Sequence, residues 1–97
     1  MKLSYAPRAL RDLEGIAAFL VQRSPSGSAH VLAAIKSSID ALTAFPEMAP
    51  AVDSAGHRRL PVLRYPYAVF YRIAGDELLI LHVRPTARRP LASEEVL

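Results

Sequence analysis

Apolar positions recur at intervals of three and four residues in the first half of this chain and at intervals of two in the second. Leu10, Leu13, Ala17 and Leu20, with Ile16 beside them, draw one apolar stripe along a helix spanning about residues 7–23. Pro7 suits its first turn, where a missing N–H has no intrahelical partner to lose. Ser24-Pro25-Ser26-Gly27-Ser28 interrupts the pattern, and a serine there can cap a second helix. Leu32, Ile35, Ile39 and Leu42 then repeat the spacing, Val31 and Phe45 widen the stripe, and Pro46 ends it. The two segments predict an antiparallel helical hairpin. Ahead of it, Lys2-Leu3-Ser4-Tyr5 alternates as a short strand does.

Residues 46–56 have turn and loop composition. Beyond them Arg58 to Leu63 reads as a strand, kinked or at an edge because of Pro61. Tyr67 to Ile73 reads as a second, with Tyr67, Val69, Tyr71 and Ile73 facing the core. Ala74-Gly75-Asp76 supplies a hairpin turn, and Leu78 to Arg84 is the third strand. Simple alternation puts Leu79, Leu81 and Val83 on one face of it, and Leu78, Ile80, His82 and Arg84 on the other. The order is β-α-α-β-β-β. The expected fold is α+β: an N-terminal strand, a helical hairpin and a three-stranded antiparallel meander, both helices covering one face of the sheet.

Ninety-seven residues with an apolar fraction of 52% predict a single domain over 1–97. The polar segment from Arg88 predicts a mobile tail, with 91–97 its flexible end. The chain has no cysteine, which excludes disulfides and thiolate metal sites. Its opening residues lack the apolar run of a signal peptide, and no stretch is apolar for long enough to span a bilayer, so a cytoplasmic protein is expected.

Charge is placed unevenly. Residues 1–55 carry five bases against five acids, whereas 56–97 carry seven bases against four acids, which accounts for the whole net charge of +3. All seven are arginine: Arg58, Arg59, Arg64, Arg72, Arg84, Arg88 and Arg89. A planar guanidinium suits phosphate or carboxylate recognition better than an ammonium. From composition alone, a solvated face is the simpler account.

Four ordered segments resemble the RelE/ParE toxin superfamily, and its ParE-type members in particular. They are Tyr5-Ala6-Pro7-Arg8-Ala9-Leu10-Arg11-Asp12-Leu13, then Phe45-Pro46-Glu47-Met48-Ala49-Pro50. Next comes the pair Arg58-Arg59-Leu60-Pro61-Val62 and Tyr65-Pro66-Tyr67-Ala68-Val69-Phe70-Tyr71-Arg72. The last is Leu79-Ile80-Leu81-His82-Val83-Arg84-Pro85-Thr86-Ala87-Arg88-Arg89-Pro90. The resemblance implies the toxin of a type II toxin–antitoxin pair, neutralised by a cognate ParD-like antitoxin that lays a helix and an extended segment on the toxin. It also implies one of two actions. ParE-like members inhibit DNA gyrase and block replication, whereas RelE-like members cleave mRNA on the ribosome.

The residues favour the first action. Metal-independent RNA cleavage needs groups that move protons as well as groups that stabilise the phosphorane. Beyond Val83 there is no Tyr, His or Lys, and arginine does not deprotonate near neutrality. The expected target-binding surface is therefore Arg59, Arg64, Arg72, Arg84, Arg88 and Arg89, with no catalytic residue. The alternative is a ribonuclease in which Arg64 and Arg84 stabilise charge and His82 transfers the proton; a third class is a non-toxic relative that only binds antitoxin. His82 reads more simply as a structural histidine, and His30 and His57 as solvated ones. No metal or other cofactor is expected, because three scattered histidines have no ligand spacing. No Gly-rich phosphate loop, carboxylate pair or Ser/His/Asp set is visible. Asp12 and Glu14 are assigned to the start of the first helix, where acids complement its dipole. Tyr65 is the tyrosine expected to be exposed. Leu13, Ala17 and Leu20 serve the core as well as an antitoxin groove, so the antitoxin contact has no assigned residues.

Overall fold

The computed structural model describes residues 1–86; Arg88, Arg89 and the predicted tail lie outside them. The elements are β1 (Lys2–Tyr5), α1 (Pro7–Val21), α2 (Pro25–Ala44), β2 (Arg58–Pro61), β3 (Tyr67–Ala74) and β4 (Glu77–Pro85). Ser24 caps α2 as its sequence suggests, its hydroxyl accepting the Gly27 N–H at 3.0 Å. The strands form one four-stranded sheet in the order β1-β4-β3-β2. Short connections make β2, β3 and β4 an antiparallel meander, whereas β1 reaches β4 through the helices and pairs with it in parallel. The β3–β4 turn places Gly75 at φ 62, where a side chain would be strained.

Both helices lie over one face. Ile16 of α1 and Val31, Ile35, Ile39 and Leu42 of α2 join Val69, Tyr71, Leu78, Ile80 and Val83 in a single apolar cluster. Three members of the expected stripes, Leu10, Ala17 and Phe45, are neither in it nor packed against it. Leu10 is exposed, its place in the α1 contact being taken by fully buried Ala9, which lets the helix approach the sheet closely. Phe45 is 68% exposed, because α2 ends at Ala44 and the chain turns away before Phe45 can continue the stripe.

The alternation expected along β4 fails in its middle. Phe70 pairs with His82 but Tyr71 pairs with Ile80, so Leu81 is an extra residue and forms a bulge. The bulge reverses the pleat phase. Leu78, Ile80 and Val83 all face the helices, while Leu79, His82 and Arg84 face the other way. His82 thus shares a face with Arg84, as expected, but not with Ile80. Tyr65, expected outside, is half-buried against the core.

Candidate functional site

The sheet face that the helices leave open carries three of the arginines singled out by sequence, Arg59, Arg72 and Arg84. Directly opposed residues share a face, so Arg59 stands beside Phe70, Phe70 beside His82, Ala68 beside Arg84, and Arg72 beside Leu79. Arg59 lies over the Phe70 ring, 5.9 Å from its centroid, and His82 meets the same ring edge-on at 6.4 Å. Arg64 belongs to the β2–β3 connection and has φ 75, a region that costs a non-glycine residue about 1 kcal/mol or more. Arg58, next to Arg59, points to the helix side and donates to the Ala49 carbonyl at 2.5 Å, a structural role.

A second feature lies where β1 stops. The Ala6 N–H donates to the Ile80 carbonyl at 2.8 Å, and the chain then enters α1, leaving the rest of that β4 edge without a strand partner. Asp12 of α1 fills the gap: its Oδ2 accepts the Val83 N–H at 3.0 Å, and its Oδ1 takes the Arg8 Nε at 3.2 Å. Asp12 therefore does more than complement the dipole, and it lies beyond the first turn. Asp12→Ala would strand a part-buried N–H and should cost about 1–2 kcal/mol. Asp12→Asn, which keeps an acceptor, should cost less; urea unfolding of the two variants gives the comparison.

Beside this edge runs an apolar groove of about 520 Å³, walled by Gly15, Ile16 and Phe19 of α1 and by Tyr67, Val83 and Pro85 of the sheet. Arg11 and Asp12 sit on its rim. A Cβ added at Gly15 would meet nothing within 4 Å, so the missing side chain opens the groove rather than admitting a core neighbour. Phe19 is 53% exposed and carries the Arg23 guanidinium 4.1 Å from its ring centroid. Sequence reasoning missed this groove, although Phe19 is a large apolar residue off the α1 stripe, one full turn from a helical glycine. Leu13 and Leu20, considered for such a groove, are instead packed against the core.

A third feature is a pocket of about 370 Å³ above the open face. Phe70, Leu81 and His82 form its floor, Ala6 and Arg8 one wall, and Val52, Asp53 and His57 the other. His57 Nδ1 lies 2.7 Å from Asp53 Oδ2, and the hydrogen bond from that imidazole holds the Asp53 carboxyl below its ordinary range. His82 turns its Nδ1 inward, where it is buried without a hydrogen-bond partner, 3.9 Å from Asp12 Oδ2. Among the described residues no group of three metal-ligating side chains gathers.

Comparison with known proteins gives matches of three kinds. A family model described as "ParE toxin of type II toxin-antitoxin system, parDE" matches residues 3–90. A curated protein of Sinorhizobium fredii (strain NBRC 101917 / NGR234), described as "Putative toxin Y4kP", is 31% identical over 83 residues, which is 84% of this chain and 86% of that protein. A chain from a solved structure described as "Chromosomal ParDE TA system from P. aeruginosa" superposes with a TM-score of 0.76 at 23% identity, covering 90% of this chain and 97% of that one. That likeness bears on the fold.

Proposed function

This chain belongs to the ParE toxin family of the type II toxin–antitoxin system parDE, and from that membership we propose that it inhibits DNA gyrase and is restrained by a ParD-like antitoxin. The action is cytoplasmic and needs no cofactor. The observation that carries the reading is the open sheet face, where Arg59, Arg72 and Arg84 surround Phe70. Guanidinium groups around an aromatic ring suit an acidic or phosphate-bearing surface. Arg64, in the adjoining connection, extends that surface, and Arg88 and Arg89 continue it in sequence.

The apolar groove is the proposed seat of the antitoxin. Its aromatic and aliphatic walls suit a segment that buries apolar side chains, and Arg11 on the rim with Arg23 over Phe19 favours acidic residues flanking them.

In a supercoiling assay with gyrase, DNA and ATP, the purified protein should reduce supercoiling or trap cleaved DNA. Replacing Arg59, Arg72 and Arg84 together by Gln should lower potency at least about tenfold. Arg64→Gly is a sharper probe, since it removes the guanidinium at a backbone conformation that glycine adopts freely. A gyrase indifferent to saturating protein rejects the proposal.

One observation favours a second reading. His82 stands on the arginine face two residues from Arg84, so a group able to transfer protons is present among the guanidinium groups. A ribosome-dependent ribonuclease using His82, Arg64 and Arg84 would cut mRNA at codon-related positions and lose toxicity in His82→Ala. The gyrase reading expects intact mRNA.

A further inference from the structure

Two adjacent residues at the tip of the β2–β3 hairpin break the local rules for a turn. Turn tips favour glycine, asparagine and aspartate, which accept positive φ and full solvation. Here the tip carries Leu63, at 78% the most exposed of the large hydrophobic side chains among the described residues. Arg64 follows at φ 75, the one non-glycine residue among them with positive φ. The base of the turn is clamped. The Val62 N–H donates to the Tyr67 carbonyl at 2.8 Å, the Tyr67 N–H to the Tyr65 carbonyl at 2.8 Å, and the Thr86 N–H to the Pro66 carbonyl at 2.9 Å. Val62 and Tyr67 are buried, and Tyr65 packs against the core. These contacts maintain the strain at Arg64 and hold a bare leucine and a guanidinium side by side at the end of the hairpin.

Charge is polarised along the strands. At the tip end stand Arg64 and, opposite Ala68 just inside the turn, Arg84; Arg59 follows further along β2. The acids lie elsewhere. Asp76 and Glu77 belong to the β3–β4 turn at the opposite end, and Asp53 precedes β2 and is bound to His57. Asp12 is on the α1 side, its oxygens taken by the Val83 N–H and by Arg8.

A convex apolar residue between cations fits one kind of surface well. β-Ribbons enter the grooves of duplex DNA, and those in the minor groove insert apolar side chains, leucine included, between base steps. Phosphates line both sides of the groove, where guanidinium groups can reach them. An acidic protein surface would satisfy the arginines but set Leu63 against hydrated carboxylates.

We propose that the Leu63–Arg64 tip binds duplex DNA, the leucine entering between base pairs from the minor groove while Arg64 and Arg84 hold phosphates on either side. This rests on the reading of the arginine face as the target surface, and it identifies the phosphate-bearing part of that target as the DNA that gyrase holds.

The test titrates the full chain, without gyrase, into a short duplex that has a fluorescent adenine analogue at one central TA step. Anisotropy should show saturable binding at low salt, and the analogue should brighten as it loses its stacking. Leu63→Ala should weaken binding at least about fivefold and abolish the brightening, with the salt dependence unchanged because no phosphate contact is lost. Arg64→Asn, which keeps a residue tolerant of that backbone, should lower the slope of log affinity against log salt by about one. Both side chains are exposed, and a thermal melt confirms that the variants fold. Flat titrations, or brightening that survives Leu63→Ala, overturn the proposal. Gyrase inhibition by a chain that binds no DNA would sink this proposal alone and leave the gyrase reading standing. DNA binding with these signatures beside an indifferent gyrase would support the tip and reject that reading.

Discussion

Phe19→Asp should weaken antitoxin binding by about 3 kcal/mol, roughly a hundredfold in Kd, while leaving the toxin folded. The side chain is half out of the structure, so its loss takes little from the core. In the proposed complex the same ring is the largest apolar surface on the α1 wall of the groove, and aromatic residues in such positions carry a large share of binding energy. An aspartate there also places an unpaired carboxylate in an apolar contact and against the acidic flanks that Arg11 and Arg23 favour. Calorimetry against the cognate antitoxin measures the effect directly. In cells, co-expressed antitoxin should rescue growth from the unmodified toxin and fail to rescue it from Phe19→Asp. Unchanged affinity would move the antitoxin off this groove.

Tyr71 carries the second large effect. It is the largest fully buried side chain, at 0% exposure, and its hydroxyl donates to the Pro46 carbonyl at 2.8 Å. One residue thus fills the middle of the core and ties the end of the α2 segment to β3. Tyr71→Ala should cost about 3–5 kcal/mol from the cavity and lost contacts, close to the whole stability of many chains of this size. Tyr71→Phe keeps the volume but leaves a part-buried carbonyl unpaired, for about 1–2 kcal/mol. Urea unfolding separates the two. Burial pushes the Tyr71 phenol above its ordinary value of 10.0. A proton held more tightly in the folded state than in the unfolded one gives stability that is complete below that value. That stability is lost as pH climbs from the ordinary value through the folded one. Alkaline destabilisation in this window should be present in the parent chain and smaller in Tyr71→Phe; equal curves would assign it to other groups.

How far the sequence reached can be judged from particular residues. Periods of 3.6 and 2 located every element, since burial of one face imposes those spacings wherever the partner surface lies. Pro7, Ser24 and Pro46 placed helix boundaries because their effects act within a turn. The same logic failed at Leu81, where one unpaired residue reverses the pleat; nothing in Leu79-Ile80-Leu81-His82 distinguishes a bulge from regular alternation. It failed at Leu10 and Phe45 too, whose spacing fits the stripes but whose positions relative to the sheet do not. Asp12 looked like a helix-start acid because its acceptor role depends on a β4 edge 71 residues away.

By itself the sequence determined the α+β order, the membership of the two helical stripes in one core, the arginine excess of the second half and the family. These follow from local periodicity, composition and ordered motifs, which need no knowledge of what each segment meets. Only the tertiary structure decided that β1 lies parallel to β4 and that β1 ends early enough for Asp12 to satisfy Val83. It alone brought Gly15 and Phe19 to a groove, and His57 and His82 to one pocket. Such pairings depend on register and on where a strand stops, and those are settled when distant segments compete for the same backbone hydrogen bonds and the same buried volume.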